Sequence, residues 1–96
     1  MLINVTREDI EKGVHGDPAS CMIALALERQ MDIPQGKFVA VGYGDIDLVD
    51  HPYKMTNLVR IGTISSRTVR KMWLWDLGNE IEPFKCIVQL DEGSDN

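Results

Sequence analysis

The segment Asp17-Pro-Ala-Ser-Cys-Met-Ile-Ala-Leu-Ala-Leu-Glu-Arg-Gln-Met31 predicts the helix around which this chain folds. Asp17 is a favourable N-cap, and Pro18 suits the first helical position because its missing N–H would be unpaired there in any case. Apolar side chains recur at positions 19, 22, 23, 26 and 27, and Cys21 and Leu25 flank them. Such a wide apolar arc indicates a helix that packs centrally against a sheet.

The sequence on either side of this helix predicts the strands of that sheet. Leu2-Ile-Asn-Val5 is β-prone, and Lys37-Phe-Val-Ala-Val-Gly-Tyr43 is the clearest strand of the chain. Further strands are expected at 46–49, 58–64 and 84–90, while residues 51–57 are irregular.

Two further helices are expected. Thr6 caps a short helix whose first turn is acidic, and Gly13 ends that helix because glycine accepts the left-handed conformation of a C-terminal cap. The third helix is expected at about 66–76, where Leu77-Gly-Asn79 stops it.

These elements predict a small single α+β domain over residues 1–90, in the order (β)ααβ(β)βαβ. Its helices are expected to pack on one face of a mostly antiparallel sheet. Residues 91–96 are expected to form a polar C-terminal tail. A length of 96 residues, with 44% hydrophobic and 26% charged residues, is ordinary for a globular protein with one core.

Composition also limits the expected location. No apolar run approaches the roughly 18–20 residues that a membrane span needs. The N-terminal residues lack the basic region of a signal peptide, and two cysteines are too few for a disulfide framework. The chain is therefore expected to be cytoplasmic, with no membrane partner and with free thiols.

The net charge of −5 is unevenly distributed along the chain. Residues 51–75 carry five basic groups and no acidic one, whereas 1–50 and 76–96 are both acidic. Overall acidity argues against general nucleic-acid binding, because phosphates would repel the chain. The basic segment is either an accident of solvated surface or a local face for a small anionic ligand or an acidic partner.

No cofactor or metal site is predicted. His15, Cys21, His51 and Cys86 lack the close spacing of zinc ligands, and no phosphate loop, dinucleotide pattern or HExxH motif is present. Cys21 is the one plausible nucleophile, because a helix N-terminus can lower the pKa of a thiol. Its apolar neighbours favour a buried structural thiol instead, so an enzyme is the least favoured class of function.

The third helix carries the most informative side chains. With Val69 at the centre of the core face, a rotation of about 100° per residue places Trp73 towards the core and directs Leu74 and Trp75 outward. Exposed tryptophan beside arginine is typical of interface hot spots. The alternative is that residues 51–57 cover Trp75. The expected ligand-binding or partner-binding residues are mostly basic and aromatic: Arg67, Arg70, Lys71, Leu74, Trp75 and Tyr53.

Several segments of the chain carry a resemblance to known sequences. They are Thr6-Arg-Glu-Asp-Ile10 with Gly13, Cys21-Met-Ile-Ala-Leu-Ala-Leu27, Trp75-Asp-Leu-Gly78 and Ile81-Glu-Pro-Phe84. They resemble a group of small uncharacterised phage and prophage proteins, which share the first helix and glycine, a Cys-Pro-x-Ala-x-Ala-Leu helix and an Asp-x-Gly-x-x-Val-Glu-Pro-Phe segment. Here Met22 replaces the proline. The resemblance covers about half of the chain and implies a fold and a phage context, without catalytic residues.

Two hypotheses of function follow. The first is a non-enzymatic binding protein that modulates a host protein complex, such as a defence system, in the host cytoplasm. The alternative is a binder that sequesters a small anionic ligand, such as a nucleotide signal, between arginines and aromatic rings. A homodimer is also expected, because Leu74 and Trp75 would otherwise leave an apolar patch at the surface.

Overall fold

A computed structural model describes residues 1–54 and 57–91 of the chain. The elements follow one another as β1 (Leu2–Val5), α1 (Arg7–Lys12), α2 (Met22–Gln30), β2 (Phe38–Val41), β3 (Asp45–Val49), β4 (Val59–Ile64), α3 (Ser66–Asp76) and β5 (Phe84–Leu90). The expected α+β domain and its element order are therefore confirmed. Residues 55 and 56 of the irregular segment, and the tail beyond Asp91, lie outside the described residues.

The strands form one antiparallel sheet in the order β1-β5-β4-β3-β2. Ile3 lies opposite Cys86 and Ile64 lies opposite Val88, so these buried side chains share the inner face of the sheet. The register shifts between β3 and β4 beside Ile46, and such irregularities bend a sheet. β1 and β2 are the two edges of this curled sheet.

α2 packs against both edge strands, β1 and β2. Since these strands lie at opposite ends of the sheet, the sheet must curl around the helix. Met22, Ile23 and Leu27 of α2 are fully buried in the core, and the small side chains of Ala24 and Ala26 let strands approach the helix closely. The central packing expected from the wide apolar arc is confirmed.

Polar groups in and before α2 also occupy backbone groups of the sheet edges. The Gln30 amide nitrogen donates to the Asn4 carbonyl at 2.7 Å, and its oxygen accepts from the Asn4 amide at 2.9 Å. At the other edge, the Val41 amide donates to the Pro18 carbonyl at 2.9 Å. The Val39 amide, in turn, lies near the Glu28 carboxylate and lowers its pKa. Edge groups that would otherwise pair with another chain are thus occupied at both ends of the sheet.

α2 begins at Met22, one turn later than predicted. Residues 18–20 form a turn instead, in which the Asp17 carboxylate accepts from the Ala19 amide at 3.1 Å. The N-cap is Cys21, whose Sγ accepts from the Ala24 amide at 3.4 Å. The helix cannot start earlier because the Pro18 carbonyl, which would bond within the helix, accepts from Val41 in β2.

Gly13 ends α1 for a reason other than the one predicted. Its φ of −64° is outside the left-handed region. A Cβ at this position would lie 2.7 Å from the Met22 amide nitrogen and 2.8 Å from Cη2 of Trp75. Glycine is therefore required by the close approach of α2 and α3, whereas Gly78, with φ of 95°, does end α3 in the left-handed conformation.

The predicted orientation of α3 is wrong, although its bounds are as expected. Trp75 is only 3% exposed, whereas Trp73 is 55% exposed. The buried face of the helix is formed by Thr68, Met72 and Trp75, and Val69 lies at its margin, half-buried.

Two contacts explain this rotation of the core face. Thr68 can occupy a core position because its hydroxyl hydrogen-bonds that of Ser65 at 3.1 Å, and it also lies near the Cys86 thiol, whose pKa it lowers. Trp75 fills the space above Gly13 and packs on the His15 ring at a centroid distance of 4.0 Å. Cover for Trp75 thus comes from residues 13–15, and Leu74 is half-buried rather than fully outward.

The two tryptophans should therefore contribute unequally to stability. Trp75→Ala should lower the free energy of unfolding by about 3–5 kcal/mol, because it leaves a cavity between α1 and α3. Trp73→Ala should change it by no more than about 0.5 kcal/mol, as is usual at exposed positions. Urea denaturation of both variants measures the difference, and a larger loss for Trp73→Ala would contradict the assigned core face.

Glu28 should make stability depend on pH. Burial raises the pKa of this carboxyl, and the Val39 amide offsets part of the rise. A carboxyl whose pKa is higher in the folded than in the unfolded chain stabilises the fold while protonated, and this stability is lost as pH rises through the folded pKa. Glu28→Gln keeps a side-chain oxygen near the Val39 amide without the buried charge.

We expect Glu28→Gln to raise the melting temperature at pH 7 by about 1–4 °C, which corresponds to a fraction of a kcal/mol. The difference from wild type should shrink below about pH 4, where Glu28 itself is protonated. Glu80→Gln, at an exposed position, is the matched control and should show neither effect. A variant that is less stable than wild type at pH 7 would show that the carboxylate charge is favourable here.

Candidate functional site

The first candidate site is a basic surface, which we define as Arg67, Arg70 and Lys71 of α3 together with Lys85 of β5. Among the residues that the structure describes, no carboxylate lies within 4.0 Å of these four cations. By contrast, Arg60 pairs with Asp91 across the sheet. Much of the positive charge of the 51–75 segment is therefore gathered on one surface without a described counter-charge.

The two elements of the basic surface meet along a groove. Arg67 and Lys85 both line this groove of about 360 Å³, which lies between the start of α3 and β5. The Lys71 ammonium lies 5.1 Å from the centroid of the Phe84 ring, a cation–π contact that orients this side chain. Arg67 and Arg70 are exposed, and their guanidinium groups have no described hydrogen-bond partner in the chain.

An apolar area continues the basic surface along α3. Trp73 lies one turn after Arg70, and Leu77, at the end of the helix, is also exposed. Trp73 thus takes the outward position that was expected for Trp75. Guanidinium groups beside an exposed indole are the side chains that dominate many protein interfaces.

Only some of the predicted site residues come together. Arg67, Arg70 and Lys71 do, with Leu74 half-buried at the margin, but Trp75 belongs to the core. Tyr53 is exposed in the loop after β3, and its described contacts are with His51. Lys85 was missed because no local pattern brings β5 beside α3, and only the shared groove places Lys85 near Arg67.

The basic surface works against the stability of α3. A helix favours acidic residues near its N-terminus, but the first turn of α3 has none. Arg67 lies there, and it is spaced i,i+3 from Arg70 and i,i+4 from Lys71, so that like charges face each other. Residues that oppose their own local structure mark candidate functional positions.

The second candidate site is a cavity of about 200 Å³, which we call the Cys21 cavity. Apolar parts of Pro18, Val41 and Met72 line it. Asp17 and Asp76, which are both partly exposed, also line it, and we call their two carboxylates its rim. Burial raises the pKa of the Cys21 thiol, the two carboxylates raise it further, and the amides at the start of α2 only partly offset this. A protonated thiol is a poor nucleophile, so the cavity gives no support to catalysis by Cys21.

Asp76 joins three segments at the mouth of the Cys21 cavity. One carboxylate oxygen accepts from the Gly16 amide at 3.1 Å, and the other accepts from the Tyr43 hydroxyl. This hydrogen bond raises the pKa of Tyr43 above its usual value, because loss of the phenol proton would place two negative charges together. The Tyr43–Asp76 contact thus spans the mouth from the β2–β3 turn to the end of α3.

Two other kinds of site are not found within residues 1–54 and 57–91. No group of three or more histidine, cysteine, aspartate or glutamate side chains is placed to hold a metal ion. No helix in this part of the chain combines the length and the apolar character that a bilayer crossing requires.

Comparison with known proteins leaves the candidate sites to be judged by their geometry. No family model matches the chain, and neither a curated protein nor a solved structure does.

Reversing the charge of Arg67 should stabilise the protein. Arg67→Glu places an acid in the first turn of α3 and relieves repulsion of Lys71, so we expect the free energy of unfolding to rise by about 0.3–1 kcal/mol. Arg67→Gln should give a smaller rise, since it removes the unfavourable positive charge without adding a favourable negative one. Urea denaturation at low ionic strength measures both changes, which should fade in about 1 M NaCl. A loss of stability in either variant would mean that Arg67 makes a favourable contact within the fold.

Proposed function

We propose that this protein is a non-enzymatic binding protein that contacts an acidic surface of a partner protein through its basic surface and Trp73. One observation carries the proposal: three like-charged side chains lie within five residues of α3, starting in its first turn, beside an exposed tryptophan and without a described counter-charge. An acidic partner would supply the missing charges and cover the indole. Attraction to the carboxylates of the partner would then offset the repulsion among the three cations of the free helix.

A protein partner fits this surface better than a nucleic acid does. The chain has a net charge of −5, and Asp45 and Asp47 of β3 add to an acidic body that would repel a long phosphate backbone. A local basic surface on an acidic body instead orients the protein as it approaches a partner of complementary charge.

The resemblance to small phage and prophage proteins extends the proposal to the kind of partner. In that setting, the partner would be a host protein complex, such as a defence complex, and the place of binding would be the host cytoplasm. Inhibition would follow if the acidic surface that this protein covers were one the complex needs for its own assembly or for another ligand.

A pull-down with matched variants tests the proposal. Arg67→Glu/Arg70→Glu reverses two charges of the basic surface, and Lys12→Glu/Lys54→Glu produces the same change of net charge elsewhere on the surface. We expect wild type and the Lys12/Lys54 control to retain the same host protein, and the Arg67/Arg70 variant to lose it. With the purified partner, Trp73→Ala should raise the Kd about tenfold, which corresponds to the loss of about 1.4 kcal/mol.

Retention of the same protein by the Arg67/Arg70 variant would contradict the proposal. So would the absence of any specific partner both at about 50 mM and at about 150 mM salt, because attraction between opposite charges is strongest at low ionic strength. The control separates a local effect of the basic surface from a general effect of net charge.

The groove between Arg67 and Lys85 supports a second candidate function, the sequestration of a small anionic ligand. Two cations that line one groove can bind a phosphate group from both sides. Thermal-shift measurements with cyclic di- and trinucleotides test this alternative. Stabilisation at about 1 mM ligand that is lost in Arg67→Glu would favour it over the protein partner.

A second copy of this chain is another partner that the basic surface could take. The dimer expected from the sequence would now place Trp73 and Leu77, in place of Trp75, at the interface. Light scattering at about 100 μM tests whether the chain is a dimer, and Trp73→Ala should convert such a dimer to a monomer. A dimer of this kind would make the surface inaccessible to other partners.

A further inference from the structure

The Cys21 cavity takes no part in the proposed protein contact, and its size suits a small molecule. Its volume is about 200 Å³. Apolar cavities of about 150 Å³ bind molecules as large as benzene. Pro18, Val41 and Met72 offer apolar walls, and the protonated thiol of Cys21 adds a neutral, polarisable one. The interior therefore suits an apolar body of about six to eight heavy atoms.

The rim of the cavity selects the charge of that molecule. Asp17 and Asp76 both line the cavity, and no lysine, arginine or histidine among the described residues does so. Within the described part of the chain, neither carboxylate has an ion-pair partner. The field of both carboxylates extends to the cavity wall, where it acts on the Cys21 thiol. An anion would be repelled here, and a neutral molecule would leave the rim charge uncompensated.

The rim also offers hydrogen-bond acceptors. One oxygen of Asp17 accepts from the Ala19 amide, and its other oxygen has no donor among the described residues. Both oxygens of Asp76 accept, from the Gly16 amide and from the Tyr43 hydroxyl. A carboxylate oxygen has more than one lone pair, so an ammonium group could be added at Asp76 or could replace Tyr43 there.

We propose that the Cys21 cavity binds a small organic cation, a protonated amine whose apolar body enters the cavity and whose ammonium group lies between Asp17 and Asp76. Tyr43 is then the residue at the mouth that must move or share its acceptor as the amine binds. A bare metal ion is a poor alternative, because apolar side chains rather than oxygen ligands surround most of the space.

Three probes of one shape test the proposal at pH 7. Benzylamine, benzyl alcohol and benzoate share a ring and differ in charge. We expect benzylamine to raise the melting temperature and to shift the amide NMR signals of Val41 and Gly42, with binding detectable by about 10 mM. Benzyl alcohol should bind at least about tenfold more weakly, because it lacks the ion pair, and a tenfold change corresponds to about 1.4 kcal/mol. Benzoate should not bind, because the two carboxylates of the rim repel an anion.

Matched variants locate the charge that is responsible. Asp17→Asn retains an oxygen for the Ala19 amide and should weaken benzylamine about tenfold while leaving benzyl alcohol unchanged. Asp32→Asn removes an exposed carboxylate that does not line the cavity and should change neither affinity. Unfolding curves confirm that Asp17→Asn is folded before its affinity is compared.

Equal affinities for benzylamine and benzyl alcohol would overturn the proposed class of ligand. The absence of binding by benzylamine up to about 10 mM, or an equal loss in Asp17→Asn and Asp32→Asn, would overturn the site itself. None of these outcomes depends on the basic surface, so the proposal stands or fails independently of the proposed protein contact.

Discussion

The fold depends on the contact of α2 with both edges of one sheet. Its apolar side chains fill the curled sheet, and the Gln30 amide and the preceding Pro18 carbonyl occupy edge backbone groups of β1 and β2. Burial and edge pairing are therefore provided by the same segment, and a chain of 96 residues gains a core without leaving two open edges. The cost is that Glu28 must bring a carboxylate into a partly buried position, which explains the direction of its pKa shift.

With α2 at the centre of the core, α3 contributes fewer buried side chains to it. It covers the core with one face only, through Met72 and Trp75 and the hydrogen-bonded Thr68, while α2 occupies the centre. The outer face of α3 is thus free of packing constraints, and charged and aromatic side chains can lie there without weakening the core. On the inner face of α3, the missing side chain of Gly13 leaves room for Trp75 between α1 and α3.

What could be predicted from the sequence depends on the range of the interactions involved. Elements with local signals were predicted: the Thr6 cap of α1, the β-prone run around Phe38–Val41 and the glycine stop of α3 act within a few residues. The start of α2 and the face of α3 were not, because each follows from a distant contact, Pro18 with Val41 and Gly13 with Trp75. The candidate site divides in the same way. The α3 cations were visible as a charge run, whereas Lys85 joins them only through the packing of β5 beside α3.

The distribution of charge along α3 connects the two candidate sites. α1 follows the helix dipole, with acids in its first turn and Lys12 in its last, and α2 carries Arg29 in its last turn. α3 is reversed at both ends: Arg67 lies in its first turn, and its last residue, Asp76, has no basic neighbour in that turn. Each of these two charges disfavours the helix by about 0.3–1 kcal/mol, and each lies at a candidate site. Arg67 lines the groove, and Asp76 lies at the mouth of the Cys21 cavity. A partner of opposite charge would relieve either one, so the same helix favours an anionic contact at its N-terminus and a cationic contact at its C-terminus.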